Sequence, residues 1–183
     1  MNSTLRAELV ATALRWEQRF GNAPSITTVL SEYDAARLVG MSEDEYSNAM
    51  AGATTVQKGY DFKFNGERYQ VKGNRPSGKP GSNVTWVPKA TNYDWDHLIW
   101  ILYDPSYRIV GAWQWDVSGY QTQFHEVKRL SPAHHRQGKC LSPPLRPNPS
   151  LKRSTNGRPP GPGWWYAVHF HQPGPGVLPS SPA

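Results

Sequence analysis

Apolar positions recur at intervals of three and four along the first part of the chain. Leu5, Leu9, Ala13, Trp16 and Phe20 form one stripe, which predicts an amphipathic helix over residues 4–20, ending at Gly21. After Pro24 the same spacing returns in Val29, Tyr33 and Ala36 and runs to Gly40, a second helix with Ser31 and Asp34 expected as a capping pair. Ser42 followed by Glu45 has the spacing of a capping box and predicts a short third helix over 43–50.

From Tyr60 the period drops to two. Alternating runs on either side of Asn65-Gly66 are the strongest short-range hairpin signal and predict two antiparallel strands within 60–72. Residues 74–83, rich in Gly, Pro, Ser and Lys, read as an exposed loop, and 84–87 as a strand. Two further strands are expected over 98–103 and 108–115, separated by the turn residues Asp104-Pro105-Ser106. Residues 115–130 fit either a helix or irregular chain. Trp95, Trp100, Trp113 and Trp115 stand at strand spacing, which favours a place in the core over base stacking. Asp94 and Asp96 are expected to cap or solvate the turn before the third strand.

A two-residue loop at Asn65-Gly66 fixes the register, since every cross-strand pair then sums to the same number: Phe64 with Glu67, Phe62 with Tyr69, Asp61 with Gln70. Alternation puts Asp61, Lys63, Arg68, Gln70 and Lys72 on one face, and Tyr60, Phe62, Phe64, Glu67, Tyr69 and Val71 on the other. Opposed residues sit ~5 Å apart at Cβ and diagonal ones ~7–8 Å, so Asp61, Gln70 and Lys72 can converge on one small object. A hydrated Mg²⁺ is such an object, because it takes oxygen ligands, keeps several waters and needs only one or two carboxylates. A lysine beside it can hold the attacking water and offset charge growing on a phosphate. The competing reading is an ordinary solvated sheet face.

Composition divides the chain of 183 residues. Residues 131–183 hold twelve of the seventeen prolines and six Lys/Arg, but no Asp or Glu, so they carry the whole formal net charge of +6. Such a segment is expected to be a disordered, Pro-rich tail. The expected organisation is an N-terminal helix (1–24), one α/β domain (25–130) and the basic tail (131–183). His134-His135 and His169/His171 lack the Cys or carboxylate partners of a zinc site. A single cysteine, Cys140, excludes an internal disulfide framework and lacks an evident base. No charged-then-apolar leader opens the chain, so a cytoplasmic location is expected. No apolar run approaches the ~20 residues of a membrane span.

Asp61, followed across a turn by Gln70-Val71-Lys72, resembles the motif of the PD-(D/E)xK nuclease superfamily, in the variant with glutamine in place of the second acid. The stretch Ser31-Glu32-Tyr33-Asp34-Ala35-Ala36-Arg37-Leu38-Val39-Gly40 resembles the helix before that motif, with Glu32 at the position of a further metal-binding acid. The resemblance covers about residues 25–130. It implies a restriction-endonuclease-like mixed β-sheet flanked by helices, and hydrolysis of DNA phosphodiester bonds. It also implies Mg²⁺, or Mn²⁺ in its place, held by Asp61, Gln70 and Glu32, with Lys72 completing the catalytic set. A homodimer is compatible with this. Gln70 cannot carry negative charge, so metal affinity would rest on Asp61 and Glu32.

Residues 58–89 hold seven Lys/Arg against two acids, Asp61 and Glu67, and Arg75, Lys79 and Lys89 are the expected phosphate contacts. Three functions remain open: a metal-dependent endonuclease, a catalytically inactive nucleic-acid-binding module of the same fold, and an interaction protein that recruits a partner through its Pro-rich tail.

Overall fold

Three helices precede the first strand in the computed structural model, which describes residues 4–51 and 59–142. They are α1 (Thr4–Phe20), α2 (Thr27–Leu38) and α3 (Glu43–Ala51). Then follow β1 (Phe62–Phe64), β2 (Glu67–Asn74), β3 (His97–Tyr103), β4 (Ile109–Asp116), α4 (Val117–Phe124), α5 (Pro132–His135) and β5 (Lys139–Ser142). The strands form one mixed sheet in the order β1-β2-β3-β4-β5, parallel between β2 and β3 and antiparallel elsewhere. By its contacts the chain divides into Met1–Arg146 and Pro147–Ala183; the second unit lies outside the described residues, as do His169, His171 and the disorder expected of the tail beyond 142.

The hairpin has the register the loop demands, Phe62 opposite Tyr69 and Phe64 opposite Glu67. Asn65 and Gly66 both have positive φ (51° and 85°), the conformation of a turn whose twist matches that of the strands. Phe62, Tyr69 and Val71 are buried on one face against Ala13 of α1, Leu30, Ala35 and Ala36 of α2, and Ile99, Ile101 and Tyr103 of β3. The alternate residues of β3, Leu98, Trp100 and Leu102, join Trp95, Trp113, Trp115, Tyr120 and Phe124 in a second cluster on the opposite face. The central strand is thus covered on both sides, which is why its sequence is a continuous apolar run. Tyr60 breaks the expected alternation and packs with this second cluster.

The four tryptophans belong to the core, as their spacing suggested. The capping box of α3 is present, with Ser42 N–H donating to Glu45 at 2.7 Å and Glu45 N–H to Ser42 at 3.1 Å. The capping pair expected for α2 is not. That helix starts at Thr27, so Ser31 and Asp34 lie on its buried face, where Ser31 donates to the Thr28 carbonyl and Asp34 receives Arg6. Residues 84–87 form no strand; Val87 alone bridges to Leu130. Residues 117–124 are helical, opened by Asp116, whose carboxylate accepts from Gly119 N–H at 2.8 Å. Asp96, expected at a turn, instead ties β2 to the start of β3 by accepting from the Arg68 backbone and guanidinium.

Two domain boundaries move. Helix α1 is no separate domain, since Ala13 is buried in the first cluster and Arg6 and Glu17 make ion pairs to Asp34 and Arg75. Its Leu5, Leu9, Trp16 and Phe20 are left exposed. The tail does not begin at 131: α5 caps itself through Ser131 and His134, and β5 pairs with β4. His135 is fully buried and stacks near Trp100, Tyr120 and Phe124.

Neither ring nitrogen of His135 has a hydrogen-bond partner among the described residues. Burial, and secondarily the neighbouring His134, push its value down from 6.5 to about 4. The folded state therefore binds fewer protons than the unfolded one, and the stability held above 6.5 is lost as pH falls toward 4. His135→Phe is expected to be the more stable protein at acid pH, by up to about 3 kcal/mol, and to flatten that part of the profile. Urea midpoints of the two proteins across the acid range check this.

Candidate metal and nucleic-acid site

The site is assembled where α2 crosses β2. Gly73 lies against Ser31 so closely that a Cβ at 73 would stand 2.6 Å from the Ser31 Cβ and Oγ. Only glycine permits this approach. Glu32 follows Ser31 on the helix, and its carboxyl feels the charges of both Asp61 and Lys72. The hairpin supplies the rest. Asp61 N–H donates to the Tyr69 carbonyl at 2.8 Å, which holds Asp61 beside β2 just before β1 begins.

Asp61 Oδ2 accepts from the Val71 N–H and from the Gln70 side-chain amide, each at 2.5 Å. The sheet face carrying these residues is not an open solvated one: Gln70 is buried, and Asp61 and Lys72 are half-buried. Burial raises the Asp61 carboxyl above its ordinary value, while the Val71 N–H, the Lys72 charge and the Gln70 amide act in the opposite direction. Glu32 is raised more, to about 7, first by burial and then by the Asp61 carboxylate, against a smaller lowering by Lys72. Asp61, Lys72 and Glu32 therefore sense one another's charge. Two half-buried carboxyls share one compensating ammonium, a deficit of positive charge that a divalent cation would relieve.

The donor chemistry fits a hard cation. Asp61 Oδ1, the Gln70 carbonyl oxygen and the Glu32 carboxylate are all oxygen donors, and Mg²⁺ needs no more than one or two carboxylates with waters completing its shell. Among the described residues no group of three or more acidic, His or Cys side chains stands close enough to hold a metal.

Tyr46 of α3 belongs to the same neighbourhood and escaped the sequence reading. Its phenol is pushed up to about 12, first by burial and then by the charges of Glu32 and Asp61. It therefore stays a hydrogen-bond donor at any ordinary pH. A tyrosine in a short amphipathic helix gives no pattern that distinguishes it from packing.

The expected phosphate contacts fare unequally. Arg75 is a structural residue: it pairs with Glu17 at 2.6 Å, donates to the Pro105 carbonyl at 2.9 Å and lies 4.3 Å over the Tyr107 ring. Its side chain is only 6% exposed, so it cannot meet a backbone phosphate. Arg68 is likewise tied to Asp96. Lys89 donates to the His125 carbonyl. Lys79 is exposed and remains available. The basic cluster counted along the sequence is thus thinner in space, because two of its arginines are neutralised by acids distant in the chain.

The Glu32 value has a signed consequence. A carboxyl raised from 4.5 to about 7 contributes stability that is complete below 4.5 and lost as pH rises through 7. Asp61→Asn should lower the Glu32 value by removing the repulsion, and Lys72→Met should raise it. Carboxyl-carbon NMR titration of Glu32 in the three proteins measures both shifts.

No family model matches this sequence, and no curated protein matches it. The architecture is an α/β fold with N-terminal helices and a five-stranded mixed sheet. Among the described residues no helix is long and apolar enough to cross a membrane.

Proposed function

We propose that this protein is a metal-dependent endonuclease of restriction-endonuclease-like fold that hydrolyses DNA phosphodiester bonds, with Asp61, Glu32 and Gln70 holding Mg²⁺ or Mn²⁺ and Lys72 completing the catalytic set. One observation carries the reading: the Asp61 carboxylate is held beside β2 by the Gln70 amide and the Val71 N–H, next to Lys72 and where α2 packs on the strand at Gly73, and the Glu32 carboxyl of that helix is raised by burial and by the Asp61 charge. A solvated sheet face would leave these groups screened from one another.

Bound Mg²⁺ would polarise the phosphoryl group and acidify a bound water. The protein's own groups do the positioning. Asp61 is held by two N–H donors, so its second oxygen is presented in a fixed direction. The Lys72 ammonium can donate to the attacking water or to a non-bridging phosphate oxygen, offsetting the charge that grows as the P–O3′ bond breaks. The Tyr46 phenol can donate to the same phosphate group. Lys79 is the remaining candidate for backbone contact, in a cytoplasmic protein that works on DNA.

Gln70 favours a second reading, a binding module without catalysis, because its amide nitrogen faces Asp61 where the family pattern has an acid. The two readings separate on supercoiled plasmid. The nuclease nicks or linearises it with Mg²⁺ and not with EDTA, and Asp61→Ala abolishes this. A binding module retards the plasmid in a salt-sensitive way and leaves it intact with either metal.

A further inference from the structure

The most exposed apolar feature among the described residues is the outer face of α1. Leu5 (75%), Leu9 (37%), Trp16 (51%) and Phe20 (60%) are large, solvent-facing and all on one helix. Contiguous apolar surface of this kind on a folded protein marks an interaction site. Beside it, Leu5 and Leu9 line an apolar groove of ≈ 160 Å³ with Val29, Leu30, Tyr33 and Tyr46.

With Thr12 between them, the positions 5, 9, 12, 16 and 20 are separated by four, three, four and four residues, which keeps all five on one side of the helix. The sequence about Thr12 is also self-complementary. Laid antiparallel on itself about a twofold axis near Thr12, the ridge sets Leu9 against Trp16 and Leu5 against Phe20, larger opposite smaller at both ends, with the small threonines at the crossing.

Charge selects the same arrangement. Glu8, Arg15 and Arg19 are exposed on the flank of the ridge away from the body, and none of them makes an ion pair among the described residues. In an antiparallel pair like flanks meet, so Glu8 of one copy faces Arg15 and Arg19 of the other, and the contact repeats by symmetry. A parallel pair would not bring this flank against itself.

We propose that α1 is a dimerisation helix, on which a second copy of this chain docks antiparallel along Leu5, Leu9, Trp16 and Phe20, fixed in direction by Glu8 against Arg15 and Arg19. This stands independently of the nuclease reading.

Sedimentation equilibrium across the micromolar range tests it. The full chain should pass from a 20.6 kDa monomer to twice that mass as concentration rises. Leu9→Asp and Trp16→Asp, both at exposed positions, should stay monomeric with unchanged circular dichroism. Glu8→Arg should weaken association at least tenfold, as should Arg15→Glu with Arg19→Glu, and all three changes in one chain should restore it. Mixing the Glu8→Arg chain with the doubly reversed chain should give a heterodimer. A wild-type chain that is monomeric throughout, a dimer that survives Leu9→Asp and Trp16→Asp, or a triple variant no stronger than its components overturns the proposal.

Discussion

Lys72→Ala should lower the single-turnover rate of Mg²⁺-dependent DNA cleavage by about 10²–10³-fold, the effect of removing one preorganised charge from a developing phosphorane. Circular dichroism should be unchanged, because Lys72 makes no contact ion pair among the described residues. Metal affinity should rise slightly or stay level, since an ammonium that competes with the cation for Glu32 and Asp61 is lost. Lys72→Arg keeps the charge but presents it on a broader, planar group, so it should recover part of the rate. Asp61→Ala acts differently. It removes a metal ligand and the acceptor of the Val71 N–H and Gln70 amide, so cleavage and metal binding should fail together. A variant in which activity falls while metal binding persists therefore assigns Lys72 to the chemistry and Asp61 to the cation. Equal cleavage by wild type and Lys72→Ala would remove lysine from the mechanism.

The largest effect on stability is expected at Asp34. Its carboxylate receives Arg6 through two hydrogen bonds of 2.6 Å and the Tyr103 hydroxyl at 2.7 Å, and Arg6 donates further to the Tyr107 carbonyl at 3.1 Å. The side chains of Arg6 and Asp34 are 12% and 6% exposed. Removing one partner leaves the other charge buried without compensation, which costs about 3–5 kcal/mol, a large share of the ~5–15 kcal/mol that holds a typical domain. Asp34→Ala should therefore unfold at much lower urea. Replacing both partners, Arg6→Met with Asp34→Leu, should recover most of the loss, because no charge is then stranded. An Asp34→Ala protein as stable as wild type would mean that the pair contributes nothing to the attachment of α1.

The bounds of α1 follow from its periodicity, but the stripe that marks the helix is not the face that packs: of its residues Ala13 alone is buried. The packing face adds Val10 and Leu14 to Ala13, together with Arg6 and Glu17, whose partners Asp34 and Arg75 lie 28 and 58 positions away. Charges with remote partners leave no local pattern that marks a buried face. The same long-range pairing withdrew Arg75 from the expected phosphate contacts.

The hairpin was legible because a two-residue loop leaves one register, and from the register came the approach of Gln70 to Asp61. The place of Glu32 near Asp61 was legible only through resemblance. What sets it physically is the contact of Gly73 with Ser31, a close packing that no local pattern announces. Strand β5 and helix α5 were hidden by composition: a stretch free of acids and followed by many prolines reads as tail, although His135 is buried among aromatic rings.

The most direct measurement is a calorimetric titration of the protein with Mg²⁺ and with Mn²⁺, in buffers of different ionisation enthalpy, below the value of about 7 at which Glu32 titrates. Binding should release close to one proton per ion as Glu32 becomes a ligand, Glu32→Gln should abolish that release, and Asp61→Ala should abolish binding. Absence of binding, or affinity and proton release unchanged in both variants, would contradict a metal site at the crossing of α2 and β2.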